Sequence, residues 1–127
     1  MSGIKNNEDQ IKKLAANPNQ KPFVMLNLLK FKTEGGRDSY FRYIKESAPF
    51  VEAVGAEVVY FGKPGEMLQG TEEWDLLMLV KYPSRKAFLK MANNPDYLKV
   101  HEYRAAAAER AVLYATDPIT FKEFPKA

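Results

Sequence analysis

Three residues in the last third of the chain have side chains that could bind a small ligand and move a proton. Tyr97, His101 and Arg104 are spaced by four and three residues, so a helix would place them on one face. A phenol, an imidazole and a guanidinium on one face can hold an anionic or phenolic molecule, and His101 can transfer a proton near neutral pH. The alternative is a structural helix edge, in which Tyr97 packs, His101 is partly solvated and Arg104 pairs with a carboxylate.

A second candidate is Asn27, the neutral polar residue in the otherwise apolar stretch 22–31. A buried amide is costly unless it is hydrogen-bonded. Two interpretations stay open: Asn27 orients a ligand oxygen in a cavity between sheet and helices, or it bonds to neighbouring backbone or a buried water. Tyr43 and Trp74 could wall such a cavity. The predicted catalytic residues are thus His101 and Asn27, and the predicted substrate-binding residues are Arg104, Tyr43, Trp74 and Tyr97.

Composition excludes several classes of site and partner. The net charge of +3 is mild and lacks the clustered basic surface of a nucleic-acid binder. The chain has no cysteine, which removes disulfides and thiolate chemistry and fits a reducing cytoplasm. Its polar N-terminus does not resemble a signal peptide, and no apolar run is long enough to span a bilayer. We therefore expect a cytoplasmic protein that binds neither nucleic acid nor membrane.

Metals and cofactors are not expected either. The single histidine, without cysteine or a carboxylate cluster at ligand spacing, argues against a zinc site. The glycines Gly62, Gly65 and Gly70 are turn glycines without the strand and helix context of a phosphate loop or dinucleotide fingerprint. We expect no metal and no cofactor.

The side-chain pattern predicts the elements that would position these residues. Strands are predicted over 22–31, 56–62, 74–82 and 111–116. A helix capped by Asp38 or Ser39 follows the first strand. Two helical segments, capped by Ser84 and Asn94, lie between the third and fourth strands, and the second runs through the alanines to Ala108. A short helix precedes the first strand.

The order β-α-β-β-α-β predicts an α+β, ferredoxin-like fold. Right-handed crossovers would place both helical layers on one face of a four-stranded antiparallel sheet. We expect residues 1–127 to form one domain. Within it, residues 1–20 would be an N-terminal helical appendage, 22–116 the ferredoxin-like core and 117–127 a tail.

The two central strands predict self-association. Both 22–31 and 74–82 are apolar on both alternating faces, although the helices can cover only one face of the sheet. The uncovered face would expose more apolar surface than a monomer usually tolerates. We therefore expect a homodimer packed sheet against sheet, with an interface of about 1,200 to 2,000 Å² in total.

Several short motifs together resemble a known family. They are VMLNLLKF at 24–31, Tyr40-x-x-Tyr43, AEVVYFG at 56–62, Trp74-Asp75, YPSRKAF at 82–88 and NPDY at 94–97. This set is similar to the DUF1330 family of the dimeric α/β-barrel superfamily, over roughly Pro22 to Thr116. Family members often carry a His-Arg pair about six residues after the motif tyrosine. This chain has Tyr103-Arg104 there, and its histidine is His101.

The resemblance implies small ferredoxin-like dimers, and cofactor-free oxygenases, isomerases and cyclases are built on similar barrels. It favours a small-molecule-binding protein, or a cofactor-free enzyme, that acts on a small acidic or aromatic metabolite. Asn27 would orient a carbonyl or hydroxyl, Arg104 would neutralise a carboxylate and His101 would move a proton. The alternative is a non-catalytic dimeric binding or assembly module with a packed interior. Whether the protein is an enzyme stays open at this point.

Overall fold

The computed structural model describes residues 4–127, and the core elements follow the predicted order. The elements are α1 (Glu8–Ala16), β1 (Phe23–Phe31), α2 (Gly36–Ala53), β2 (Glu57–Gly62), β3 (Leu76–Tyr82), α3 (Arg85–Ala92), α4 (Pro95–Ala107), β4 (Ala108–Thr116) and a 3₁₀ turn (Phe124–Lys126). Helix α1 contacts α3. Among residues 4–127, no helix is both long and apolar enough to span a bilayer. The division into appendage, core and tail stays a prediction.

The sheet has four strands in the order β2-β3-β1-β4, and every neighbouring pair is antiparallel. Strand β1 lies in the centre, so Asn27 is opposite Met78 of β3 and Leu113 of β4. This topology confirms the predicted α+β, ferredoxin-like fold with a four-stranded antiparallel sheet.

The helices cover one face of the sheet. Alternate residues of β1, from Phe23 to Phe31, are buried. The ring of Phe31 contacts Tyr40 of α2, and the ring of Phe23 contacts Phe88 of α3, which identifies the buried face as the helix face. The side chains between them point to the opposite face and are only half-buried. We call this opposite face the open face; its apolar residues are Val24, Leu26, Leu28, Leu77, Leu79, Val112 and Tyr114.

Helix α2 begins at Gly36, so the prediction that Asp38 or Ser39 caps it was wrong. Gly35 precedes the helix with a φ of 74°, a conformation that favours glycine. A Cβ on Gly36 would lie 2.7 Å from the carbonyl oxygen of Ala107. The two glycines therefore set the start of the helix, because one makes the turn and the other allows α4 to approach closely.

The boundary between α4 and β4 also differs from the prediction. The alanine run was expected to stay helical through Ala108, with a strand from 111, but α4 ends at Ala107 and β4 begins at Ala108. Ala108 is paired with Phe31 of β1. The strand pairing thus outweighs the helix propensity of alanine, which is less than about 1 kcal/mol per residue.

The predicted caps of α3 and α4 are confirmed. The Ser84 hydroxyl accepts a hydrogen bond from the Ala87 backbone N–H at 3.1 Å, and the Asn94 side chain accepts one from the Asp96 N–H at 2.9 Å. These caps satisfy N–H groups that a helix start leaves unpaired. The Asn94 cap fixes where α4 begins, and therefore which side chains of α4 face the sheet.

Candidate functional site

Helices α2 and α4, together with the end of β3, bring four aromatic hydroxyl groups, an imidazole and a guanidinium together on the helix face of the sheet. The hydroxyls of Tyr43 and Tyr97 are 2.6 Å apart, and both side chains are buried. The ring centroids of Tyr40 and Tyr43 are 5.4 Å apart. Tyr82, at the end of β3, is also buried. Burial raises the pKa of its phenol, and electrostatic interactions with Tyr43 and Arg104 act on it as well. We call this group the tyrosine–arginine cluster; it contains Tyr40, Tyr43, Tyr82, Tyr97, His101 and Arg104.

Arg104 is the charged member of this cluster. It is 4% exposed, and no carboxylate among residues 4–127 forms an ion pair with it. Its Nη2 atom is buried without a hydrogen-bond partner. The alternative in which Arg104 pairs with a carboxylate is therefore not the arrangement found. Burying a guanidinium without a counter-charge costs free energy, so an anion bound beside Arg104 would stabilise the protein.

Tyr40 is a second buried group with an unmet hydrogen bond. The residue is 2% exposed, and its hydroxyl has no partner. Burial raises the pKa of the phenol, and the nearby Arg104 guanidinium opposes that rise. A hydrogen bond from the guanidinium also opposes the rise, so the two groups are close enough to interact. Among residues 4–127, however, neither Tyr40 Oη nor Arg104 Nη2 has a partner at full hydrogen-bond geometry. From the sequence, Tyr40 entered through the motif Tyr40-x-x-Tyr43 and was not predicted as a site residue.

His101 lies beside the hydroxyl pair. It is half-buried, and its ring centroid is 6.4 Å from that of Tyr43 and 5.9 Å from that of Tyr97. Burial lowers the pKa of the imidazole, and the positive charge of Arg104 lowers it further. His101 is therefore neutral at pH 7, with a ring nitrogen that can accept a proton.

The phenols of Tyr40, Tyr82 and Tyr97 remain protonated near neutral pH, because their pKa values are raised. Burial raises the pKa of Tyr97, and its electrostatic interaction and hydrogen bond with the Tyr43 hydroxyl raise it further. Burial also raises the pKa of Tyr82. The cluster therefore carries the single positive charge of Arg104, surrounded by neutral hydroxyl groups.

Asn27 lies on the same face of the sheet as the cluster. It is 5% exposed, and its side-chain nitrogen donates to the backbone carbonyl of Met25 at 3.3 Å. This bond matches the structural interpretation of Asn27. Its role as a catalytic residue stays a prediction.

Trp74 lies apart from the cluster. Strand β3 begins at Leu76 rather than at the predicted residue 74. The guanidinium carbon of Arg110, on β4, lies 4.6 Å from the centre of the Trp74 ring, and Arg110 Nη2 donates to the Glu73 carbonyl at 2.8 Å. The structure thus brings Tyr43, Tyr97, His101 and Arg104 together, whereas Trp74 packs with Arg110.

Two cavities lie elsewhere in the molecule. The larger, of about 360 Å³, is at the end of β1 and is lined by Lys30, Phe31, Lys32, Thr33, Gly35, Arg37, Asp38, Asp75 and Glu109. The smaller, of about 250 Å³, is lined by Ile119, Thr120, Phe121 and Phe124 of the tail. Neither borders the tyrosine–arginine cluster.

Comparison with known proteins identifies relatives of the whole fold. A model of the family described as Domain of unknown function (DUF1330) matches residues 29–117. RPA0582, a protein of unknown function from Rhodopseudomonas palustris, is 29% identical, with a TM-score of 0.85 over 94% of this chain and 99% of that chain. The structure of its methylated form is 31% identical, with a TM-score of 0.86 over 95% and 98%.

More distant structures share the fold. One is a dimeric ferredoxin-like protein of unknown function from Jannaschia sp. CCS1, 14% identical with a TM-score of 0.64 over 76% of this chain and 99% of that chain. Another is a putative antibiotic biosynthesis monooxygenase from Bacteroides thetaiotaomicron, 17% identical with a TM-score of 0.57 over 79% and 91%. No curated protein sequence matches this chain.

Proposed function

Since the chain belongs to the DUF1330 family, we propose that it binds a small acidic or aromatic metabolite at the tyrosine–arginine cluster. The observation that carries this proposal is Arg104, a buried guanidinium that has no carboxylate partner, and no partner for its Nη2, among residues 4–127. A buried charge of this kind is stabilised most by an opposite charge that also accepts its hydrogen bonds. A bound anion would supply that charge.

We propose further that the protein can act on this metabolite without a cofactor. His101, neutral because of burial and the charge of Arg104, would accept a proton from the bound molecule. The hydroxyl pair of Tyr43 and Tyr97 would donate to charge that develops on a ligand oxygen. Asn27 would orient a carbonyl or hydroxyl group. The fold shared with a putative monooxygenase supports this idea by analogy alone.

Native mass spectrometry and ligand-detected NMR on the full chain test the proposal. A panel of small carboxylic acids, phenols and their neutral analogues should include binders of wild-type protein. His101→Gln should keep binding but lose any turnover, whereas Arg104→Met should lose the acidic ligands. Asn27→Ala removes the amide proposed to orient the ligand but leaves the charge of Arg104 in place, so it shows what orientation alone contributes to binding and turnover. If wild-type protein binds no member of the panel, the proposal is wrong.

The alternative function is a non-catalytic module with a packed interior. Two observations favour it: the Asn27 amide already bonds to Met25, and neither described cavity borders the cluster. In that case neither wild type nor Asn27→Leu should bind a ligand. Asn27→Leu should also stabilise the fold, because it removes a buried amide. Loss of a measurable ligand affinity in Asn27→Leu would contradict this alternative.

We propose that the working form is a cytoplasmic homodimer that buries the open face of the sheet. Leu26 is opposite Leu79 and Tyr114, and Leu28 is opposite Leu77 and Val112, so apolar residues of three adjacent strands form one continuous patch. Such a patch favours association, and a fold relative is described as dimeric. The absence of cysteine supports the reducing compartment.

A further inference from the structure

Two of the unmet hydrogen-bond donors in this protein lie together. Within residues 4–127, the buried side-chain nitrogen and oxygen atoms without a partner are Tyr40 Oη, Arg85 Nε and Arg104 Nη2. The charge of Arg85 is neutralised outside the cluster, because its two terminal nitrogens donate to Asp117 at 3.0 and 2.9 Å. For Tyr40 and Arg104 the structure shows no partner beyond their own contact, in which a hydrogen bond from Arg104 acts on the Tyr40 hydroxyl. The proton of Tyr40 and the Nη2 donor of Arg104 still lack an acceptor within residues 4–127, and buried polar groups are rarely left unpaired.

The Tyr40 hydroxyl and the Arg104 guanidinium can both donate a hydrogen bond to the same ligand. A guanidinium can only donate hydrogen bonds. The Tyr40 hydroxyl is protonated, because burial raises its pKa, and it therefore also offers a proton. They come from different helices, α2 and α4, yet the Arg104 charge acts directly on the Tyr40 hydroxyl. One group with two acceptor oxygens could satisfy both donors, which is the geometry of a carboxylate.

The charge of the surroundings limits the ligand to one negative charge. No carboxylate in the described chain pairs with Arg104, and its aromatic neighbours are neutral. A monocarboxylate would neutralise this single positive charge. A second carboxylate or a phosphate dianion would leave an excess negative charge in the interior, where desolvation is costly.

We propose that Tyr40 and Arg104 form the carboxylate-binding end of the ligand site, and that the protein therefore takes small monocarboxylic acids. This inference rests on the proposed function and adds Tyr40 as a further binding residue. The carboxylate lies between α2 and α4, with one oxygen accepting from Tyr40 Oη and the other from Arg104 Nη2. His101 lies close to the same guanidinium and senses whether that charge is neutralised.

The chain contains a single histidine, so NMR of its imidazole reports on the cluster with one signal. The probes are benzoate, its uncharged analogue benzamide and the dicarboxylate phthalate, each titrated into the full-length protein in buffer free of carboxylate and phosphate. Benzoate should bind and raise the pKa of His101, because it removes one of the two causes that lower it. Phthalate should bind at least about tenfold more weakly than benzoate.

Variants assign the effect to the two donors. Tyr40→Phe should weaken benzoate binding at least about tenfold, since it deletes one hydrogen bond to a charged group. Arg104→Met should weaken it at least about thirtyfold and raise the pKa of His101 without ligand. The matched controls are Arg42→Met, at an exposed position, and Tyr103→Phe, at a half-buried position outside the cluster. They should change affinity less than about twofold. Circular dichroism verifies that each variant is folded.

Each remaining outcome decides the matter. If benzamide binds as well as benzoate, or if Tyr40→Phe binds benzoate like wild type while Arg104→Met loses it, the carboxylate site is wrong while the proposed function stands. If Arg104→Met also binds benzoate like wild type, both proposals are wrong. If benzoate binds but His101 does not respond, the ligand lies elsewhere and the inference is wrong. If no panel member binds wild-type protein, a buried water satisfies the two donors and both proposals are wrong.

Discussion

The hydroxyl groups of Tyr43 and Tyr97 lie 2.6 Å apart and join α2 to α4 across 54 residues of sequence. Both side chains are buried, and their rings meet edge to face with centroids 6.4 Å apart. The link holds two helices together at the point where the tyrosine–arginine cluster lies. The stability of the protein and the shape of the candidate site therefore depend on the same contact.

Removing one hydroxyl of this pair should destabilise the fold by about 1 to 3 kcal/mol, because the other is left buried without its partner. The double variant Tyr43→Phe/Tyr97→Phe should cost little more than either single change, since it leaves no orphan. Urea denaturation at fixed protein concentration measures these free energies of unfolding. Additive losses in the double variant would show that the two hydroxyls do not support each other.

The stability contributed at His101 should depend on pH. Its pKa is lowered in the folded protein by burial and then by Arg104, so the unfolded chain binds a proton more readily than the folded one. Stability is therefore full above the ordinary histidine pKa of about 6.5 and falls as the pH drops toward the lowered folded value.

The measurement compares the free energy of unfolding at about pH 7.5 and about pH 5 for wild type and His101→Gln. The carboxylates of the chain contribute to both proteins, so the difference isolates His101. Wild type should lose more stability on acidification than the variant. An equal loss in both would mean that the folded state does not resist protonation of His101.

The ion pair between Arg85 and Asp117 should stabilise the segment after β4. The Arg85 guanidinium is buried, lies 5.0 Å from the centre of the Phe23 ring and donates twice to Asp117. Asp117→Asn leaves that guanidinium without its counter-charge and should cost about 1 to 3 kcal/mol, less than for a fully buried pair because Asp117 is half-exposed. Thermal or urea unfolding gives the value.

A matched control for this prediction is Asp96→Asn. Asp96 pairs with Lys99 at 3.8 Å, and both side chains are more than two-thirds exposed. This change should cost at most about 0.5 kcal/mol. If both variants lose the same stability, burial of Arg85 is not what gives the Asp117 pair its strength.

The proposed dimer should depend on the open face. Leu26→Glu places a charge in the apolar patch, opposite Leu79 and Tyr114, and should weaken association at least about a hundredfold. Analytical ultracentrifugation across a dilution series measures it. Phe41→Glu, at a 66% exposed position on α2, is the control and should remain a dimer. A wild-type protein that is monomeric at all concentrations would rule out the dimer.

The amino-acid sequence alone predicted the elements whose signals are local. Nearly continuous apolar runs, with apolar residues on both strand faces, identified β1 and β3, and the caps at Ser84 and Asn94 identified the starts of α3 and α4. Spacing along one helix placed Tyr97, His101 and Arg104 on a common stripe. These features depend on residues within a few positions of each other, so they can be read without knowing the fold.

Tertiary structure decided the features that depend on residues far apart in the chain. Alanine favours helix at position 108, but pairing with Phe31 makes Ala108 a strand residue. Trp74 packs under Arg110, which lies 36 positions later, and not in the site. Tyr40 and Arg104 belong to helices that β2, β3 and α3 separate in the chain. Only the packing of both helices on the sheet brings α2 beside α4. Long-range packing therefore created the candidate site, whereas short-range pattern determined the elements that carry it.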